Sequence, residues 1–370
     1  MSEGVHSEAA RMMGICNSCR YCEGYCAVFP AMERRIDFAR DDLDYLANLC
    51  HNCGACYSAC QYAPPHEFAV NVPRVLAQVR LASYEAYAWP RSFGALYRRQ
   101  SMLMSLLLAA SLVLFFGLGI AWRGDGFFRA HVGAGSFYAI FPHNFLVALF
   151  GATFGFALLA LVVGAWRFWR AIEPPGSSNA SGATAGALHD AAALTYLDGG
   201  GDGCPEQTDA PTQARRIFHH LTFYGFLLCL ASTTVASFYH YGLGWPAPYP
   251  WISVPVALGV VGGAGLVIGP AGLLWLRALR PSALQDASQT FFDIGFTSLL
   301  LITGATGLLL LAMRESVWMP ALLALHLGPV LALFLVLPYG KFVHGIYRAL
   351  ALVKYRREQT RPKRYEFAEG

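Results

Sequence analysis

The sequence predicts an all-α protein in two parts: a small helical N-terminal domain and a bundle of six transmembrane helices. Two observations predict it. Eight of the ten cysteines fall in two short runs within the first 60 residues. The chain beyond is dominated by long apolar stretches, and the whole is 55% hydrophobic and only 14% charged. Its mean hydropathy of +0.41 is too high for an ordinary soluble protein of 370 residues.

Residues 1–95 hold no long apolar run. No N-terminal signal peptide is therefore expected, and the cysteine runs should stay where the chain is made. That side is the reducing cytosol, where disulfides are rare and clustered thiols point to metal. The runs are Cys16, Cys19, Cys22 and Cys26, then Cys50, Cys53, Cys56 and Cys60, each spaced C-x2-C-x2-C-x3-C. Two-residue spacers turn three thiols of one run toward a common centre, and the fourth thiol of a cubane usually comes from elsewhere. In two-cluster ferredoxins the last cysteine of each run ligates the other cluster. The expected ligands are therefore Cys16, Cys19, Cys22 and Cys60 for one [4Fe-4S] cluster, and Cys50, Cys53, Cys56 and Cys26 for the other. Such crossing would also staple a short domain together.

Zinc and disulfides fit less well. Structural zinc favours two CxxC pairs set well apart rather than four thiols in eleven residues, and disulfides conflict with the compartment. Gly24, Gly54, Ala55 and Ala59 would let backbone approach a cluster closely. No proline directly follows either last cysteine; Pro30 and Pro64 come four residues later. Ala31–Leu49 reads as one amphipathic helix with Ile36, Leu43, Leu46 and Leu49 inward, and Val72–Tyr87 as another. Hairpin signals are weak, so the domain should be an α-helical two-cluster ferredoxin-like type.

Residues 96–350 read as the transmembrane domain, with six apolar stretches at roughly 102–122, 143–168, 217–240, 251–276, 288–312 and 321–346. Each can cross a hydrocarbon core of about 30 Å as a helix. Arg98, Arg99, Arg167, Arg170, Arg215, Arg216, Arg277, Arg280, Lys354, Arg356 and Arg357 flank them on one side. By the positive-inside rule both termini, the cysteine domain and a basic tail at 351–370 face the cytoplasm of an inner-membrane protein. Gly259, Gly262, Gly263, Gly265 and Gly269 in the fourth stretch read as close helix packing, because the dinucleotide spacing fails and no strand precedes them. The cytoplasmic loop 171–215 contains a linker-like run at 176–186 and the glycine-rich stretch 194–204. The latter reads either as a solvated loop or as a docking element. Cys204 and Cys229 read as simple thiols.

Ionisable residues in transmembrane helices point to function. His143 opens the second stretch, His219 and His220 open the third, His240 ends it, and His326 and His344 lie in the sixth. On one continuous helix the 18-residue step from His326 to His344 is five full turns, about 27 Å along the axis. The 21-residue step from His219 to His240 falls within about 60° of one face. Axial pairs for one or two b-type haems follow: His219 or His220 with His344 near the cytoplasmic surface, and His240 or His143 with His326 near the far surface. No nucleophile elbow, P-loop or HExxH competes, and the chain shows no flavin or nicotinamide fold of its own. No nucleic-acid partner is expected.

The runs Cys16–Pro30 and Cys50–Cys60, with Pro64-Pro-His-Glu-Phe68 ahead of this membrane half, resemble the tricarballylate utilisation protein B family, also called the citrate utilisation protein B family. The likeness spans essentially the whole chain. It implies a membrane electron-transfer protein without a dehydrogenase site. In that family a separate FAD-dependent dehydrogenase oxidises tricarballylate to cis-aconitate, and the B protein reoxidises the flavin and passes electrons to quinone. A related fused cobalamin-synthesis protein carries flavin, two [4Fe-4S] clusters and b haem, which supports haem here. His66, Glu67 and the 190–204 loop are the expected flavoprotein docking surface. Two rival readings stand beside this one: a quinol-oxidising module that reduces a cytoplasmic acceptor, and a membrane-bound iron–sulfur redox sensor.

Overall fold

The computed structural model describes residues 2–99, 102–173, 182–206 and 210–361. Helix α1 (Ser2–Cys19) buries Ala9, Met12 and Met13 at helical spacing and carries Cys16 and Cys19 on its last turn. Short α2 (Val28–Met32) precedes α3 (Arg40–Leu49), which opens with Asp41 and Asp42 at its positive end and buries Leu43, Leu46 and Leu49. The expected single helix over Ala31–Leu49 is thus broken, and Ile36 lies outside, 48% exposed. The Asn17 amide donates to the Arg35 carbonyl at 2.7 Å, while the buried Arg35 side chain binds Asp42, and this holds the chain out of helix. One-turn α4 (Ala55–Ser58) starts at Gly54, whose φ of +96° suits glycine. In α5 (Val72–Tyr87) the Asn71 side chain accepts from the Arg74 amide at 3.1 Å and Pro73 occupies the first turn.

After α6 (Arg91–Arg99) come α7 (Leu103–Arg123), α8 (His143–Ile172) and loop helix α9 (Ala183–Ala193). Strands β1 (Cys204–Pro205) and β2 (Pro211–Thr212) make a minimal antiparallel pair. Then follow α10 (Ala214–Leu243), α11 (Val254–Leu279), α12 (Ala287–Ala312), α13 (Met319–Val336) and α14 (Val343–Gln359). Six of these, α7, α8 and α10 to α13, are long and apolar enough to cross a membrane. The glycine stripe does what close packing requires. A Cβ on Gly265 would lie 2.7 Å from the Leu221 carbonyl, and one on Gly269 2.6 Å from the Thr222 amide, so α10 and α11 touch backbone to backbone. Residues 176–181 of the linker-like run lie outside the described residues, as does 362–370, while its last residues, 183–186, form the first turn of α9 instead of linker.

Two expectations change. The sixth span stops at Val336, and His344 sits on a separate helix, α14. Pro338 has no amide proton and disfavours helix at the residue before it. Lys341, in the break, pairs with Asp293 at 2.6 Å. The turn count linking His326 to His344 therefore does not apply. Nor does the described part of the 351–370 segment trail as a tail. Ala351, Leu352 and Tyr355 join the core of the thiol domain, and Glu358 accepts from Arg35 at 2.7 Å and Tyr45 at 2.9 Å. Arg35 and Glu358 side chains are 1% and 4% exposed. Arg35→Leu leaves that buried carboxylate only Tyr45 and the more distant Lys354, 3.8 Å away, and is expected to cost about 3 kcal/mol, the low end for breaking a buried ion pair. A lowered thermal midpoint of the purified protein checks it.

Candidate functional site

The eight run cysteines line two cavities. The first, about 260 Å³, is bordered by Cys16, Cys19, Cys22 and Cys60, with Ile15, Phe29 and Tyr62 completing the wall. The second, about 20 Å³, is bordered by Cys26, Cys50, Cys53 and Cys56, with Phe29, His51 and Tyr196. Each cavity thus combines three thiols of one run with the last thiol of the other, and Phe29 is a wall common to both. The thiols surround a space instead of converging on a point. Among the described residues, no group of three or more His, Cys, Asp or Glu side chains is close enough to hold a single metal ion. The first cavity fits a cubane by donor set and room; the second fits by its donor set.

Electrostatics agree with that reading. Burial, then neighbouring thiols, push Cys16 and Cys22 up to about 12. The same causes raise Cys26 and Cys56 well above the ordinary thiol range. Four thiolates cannot share so small a space unless a cationic core neutralises them, which an iron–sulfur core does. Cys53 differs: the adjacent Cys204 thiol pulls it down, and Cys204 is correspondingly raised.

The second thiol set is gripped by arginines. The Cys50 carbonyl accepts from Arg80 and, at 2.8 Å, from Arg348; Arg280 donates to the Asn52 carbonyl at 2.7 Å. Among the described residues none of these three guanidiniums has a carboxylate within ion-pair distance. Burial pushes Arg280 and Arg348 down to about 10, with neighbouring arginines contributing, so both stay cationic at neutral pH. The glycine-rich stretch 194–204 is neither simply solvated nor set apart from the thiol domain. Gly199, Gly200, Gly201 and Gly203 all have positive φ, and a Cβ on Gly203 would lie 2.4 Å from the Thr212 carbonyl. The stretch brings Tyr196 to the second cavity and buries Cys204 to 1% exposure against Cys53. Docking against the cysteine domain was one of the two readings of this stretch; what the sequence did not foresee is Cys204 at Cys53, for which the four glycines ahead of Cys204 were the one signal. Cys229 lies elsewhere, against Gly262 in the membrane half. His66 and Glu67 belong to a surface turn beside the first cavity, His66 packing on Tyr62 and Phe68.

The histidines divide unequally. His219 faces His344, ring centres 5.9 Å apart. Imidazole–metal bonds of about 2.0–2.1 Å put two opposed rings roughly 6 Å apart across an iron, so this pair fits a haem by spacing. His344 Nδ1 bonds the Lys341 carbonyl, which places its proton there and leaves Nε2 free to ligate. His219 Nδ1 is buried with no partner among the described residues. His220 instead packs on Tyr224 at 5.8 Å. His51, beside Cys50, stands near His219 and His344; burial, then the Arg348 charge, hold it well below the usual histidine range. The far-side pairing differs from expectation. His143 stacks on His240 at 4.1 Å, and His326 bonds Thr306 at 3.1 Å, with no ring contact to either. The convergence of the α8 and α10 ends brings His143 to His240.

The sequence profile of "Citrate utilization protein B" matches residues 95–365. The Citrate utilization protein B of Escherichia coli is 55% identical over 358 residues, covering 96% of this chain and 93% of that protein. The chain belongs to the citrate utilization protein B family. The family's Fer4-like domain matches residues 9–86 and so contains all eight cavity cysteines. No solved structure matches the chain. In this family member, clustered cysteines of a Fer4-like domain sit directly on a six-helix apolar bundle.

Proposed function

We propose that this member of the citrate utilization protein B family reoxidises the reduced FAD of a partner tricarballylate dehydrogenase-like flavoprotein and delivers the electrons to membrane quinone. One observation carries the reading: the donor groups stand in sequence. The roomy thiol cavity meets the tighter one at Phe29, and His51 beside Cys50 leads to His219 and His344 at the end of the apolar bundle. When bound, [4Fe-4S] clusters held by Cys16, Cys19, Cys22 and Cys60 and by Cys50, Cys53, Cys56 and Cys26 supply one-electron chemistry, which divides the two electrons of a flavin. One b haem held by His219 and His344 supplies a further one-electron site.

The chain's own residues do the rest. Phe29, 2% exposed, excludes water between the two thiol sets. Tyr196 and Cys204 cover the second set. The exposed turn at Glu67 and Phe68, beside the first cavity, is the docking surface for the flavoprotein. The basic flanks support a reading with this face and both termini in the cytoplasm and the bundle in the inner membrane. The Escherichia coli relative is named for citrate utilization, and a tricarboxylate substrate of the partner suits that name.

The test is stepwise. Reduced partner flavoprotein is mixed with the holoprotein in lipid nanodiscs, and cluster, haem and quinone are followed optically. Reduction of clusters, then haem, then quinone is expected. Cluster reduction driven by quinol but not by flavoprotein would replace this reading with the quinol-oxidising one, and reduction without turnover would favour a sensor.

A further inference from the structure

We propose that the Cys26, Cys50, Cys53 and Cys56 set is the higher-potential of the two centres, and that Cys204 contributes to the difference by donating its S–H to the Cys53 sulfur. The inference rests on the cluster reading above and adds an order to it.

Reduction of a thiolate-ligated cluster adds negative charge, so nearby cations and hydrogen bonds to sulfur raise its potential. The two cavities differ in both. Around the second stand Arg80 and Arg348 on the Cys50 carbonyl and Arg280 on the Asn52 carbonyl. Arg80 and Arg280 are 8% and 6% exposed, so water screens them poorly. Arg215, also close, is spent on Glu206 at 2.5 Å, which leaves the other three as surplus charge. Beside the first cavity Arg20 is exposed and turned onto the Asn17 carbonyl at 2.9 Å, and among the described residues no arginine side chain donates to a carbonyl of Cys16, Cys19, Cys22 or Cys60. The sulfur contact there is a long one, from the exposed Gln61 amide to Cys19 at 4.0 Å. Burial alone acts the other way, because it disfavours added charge; the arginines oppose it.

Cys204 is placed for its part by the fold. Its thiol packs against Cys53 and donates to the Leu197 carbonyl over a long 3.9 Å, a weak bond that a metal-bound Cys53 thiolate beside it would displace. Leu194 and Leu197 close the apolar pocket around it. Cys53 as a metal-bound thiolate accepts only, so the shared proton belongs to Cys204. Electrons that enter at the half-buried first set would then run downhill to the second set and onward to the histidine pair.

The experiment is an EPR-monitored potentiometric titration of holoprotein in nanodiscs. Two separate cluster midpoints are expected, and a Cys60→Ser variant, which damages the first set, should retain the upper one. Cys204→Ala should lower the upper midpoint and leave the lower one in place. Cys204→Ser, which keeps a donor, should return the upper midpoint toward the wild-type value. Coincident midpoints, an upper midpoint indifferent to Cys204→Ala, or loss of the lower signal's position instead would overturn the inference. Loss of one cluster in Cys204→Ala would also overturn it, by making Cys204 a ligand. A wild type without any cluster signal would fail earlier, by removing the proposed function itself.

Discussion

With Cys60 replaced by serine, flavin-to-quinone transfer is expected to fall to background, while the partner flavoprotein still reduces an artificial dye. Cys60 belongs to the second run by sequence, yet its side chain borders the cavity of Cys16, Cys19 and Cys22. Serine is a poor replacement for a thiolate on iron, so the first set should lose its cluster and the second should keep its own. Cys26→Ser should do the reverse, since Cys26 borders the cavity of Cys50, Cys53 and Cys56. Iron and sulfide content with EPR on each variant distinguishes the cases. If Cys60→Ser destroyed the centre of Cys50, Cys53 and Cys56 instead, the crossed assignment would be wrong. Loss of dye reduction by the partner would refute the division of labour between the two proteins.

Replacing either His219 or His344 by alanine is expected to remove the low-spin b-haem band from the reduced-minus-oxidised spectrum. His220→Ala should leave it. The three residues are close neighbours in the fold, but only His219 turns to His344, at 5.9 Å between ring centres, while His220 rests on Tyr224. Six-coordinate haem needs both axial imidazoles, so loss of one abolishes the band even where some haem remains bound. A full band in His344→Ala would move the ligand to another helix. His143 and His240, stacked on one another, supply the contrast: substituting either should not affect this band.

Much of this protein was legible without coordinates. The two thiol runs declare themselves through fixed two- and three-residue spacing, and ligand spacing is a local property. The six apolar stretches are equally local, since each satisfies its own backbone hydrogen bonds along one helix. The glycines of α11 announced close packing for the same reason: a missing side chain has one main use inside an apolar helix. The break between α13 and α14 was less visible. Pro338 signals a disturbance, but Lys341 finds its reason only in Asp293, 48 residues earlier. Ile36 was misread as inward because its spacing fits a helix that the Asn17–Arg35 contact prevents.

The basic residues teach the same lesson. Arg277, Arg280 and Arg348 read as cytoplasmic flanks or went unremarked, because charge at a helix end has a sufficient topological explanation. In the fold Arg277 holds Asp293 at 2.6 Å, and Arg280 and Arg348 hold the loop of the second thiol set. Cys204 looked like an ordinary thiol because nothing within ten residues of it is a ligand. Its glycine-rich approach brings it back across 151 residues of chain to Cys53.

By itself the sequence determined the all-α class, the cysteine domain ahead of six apolar helices, and the grouping of the eight thiols that line the two cavities. These follow from periodicity and spacing, which act over a few turns of chain. Only the tertiary structure decided that His219 rather than His220 meets His344, and that Cys204 and three arginines surround the second set. Those choices join residues tens to hundreds of positions apart, and they are made by packing, where a side chain's partner is set by the whole fold.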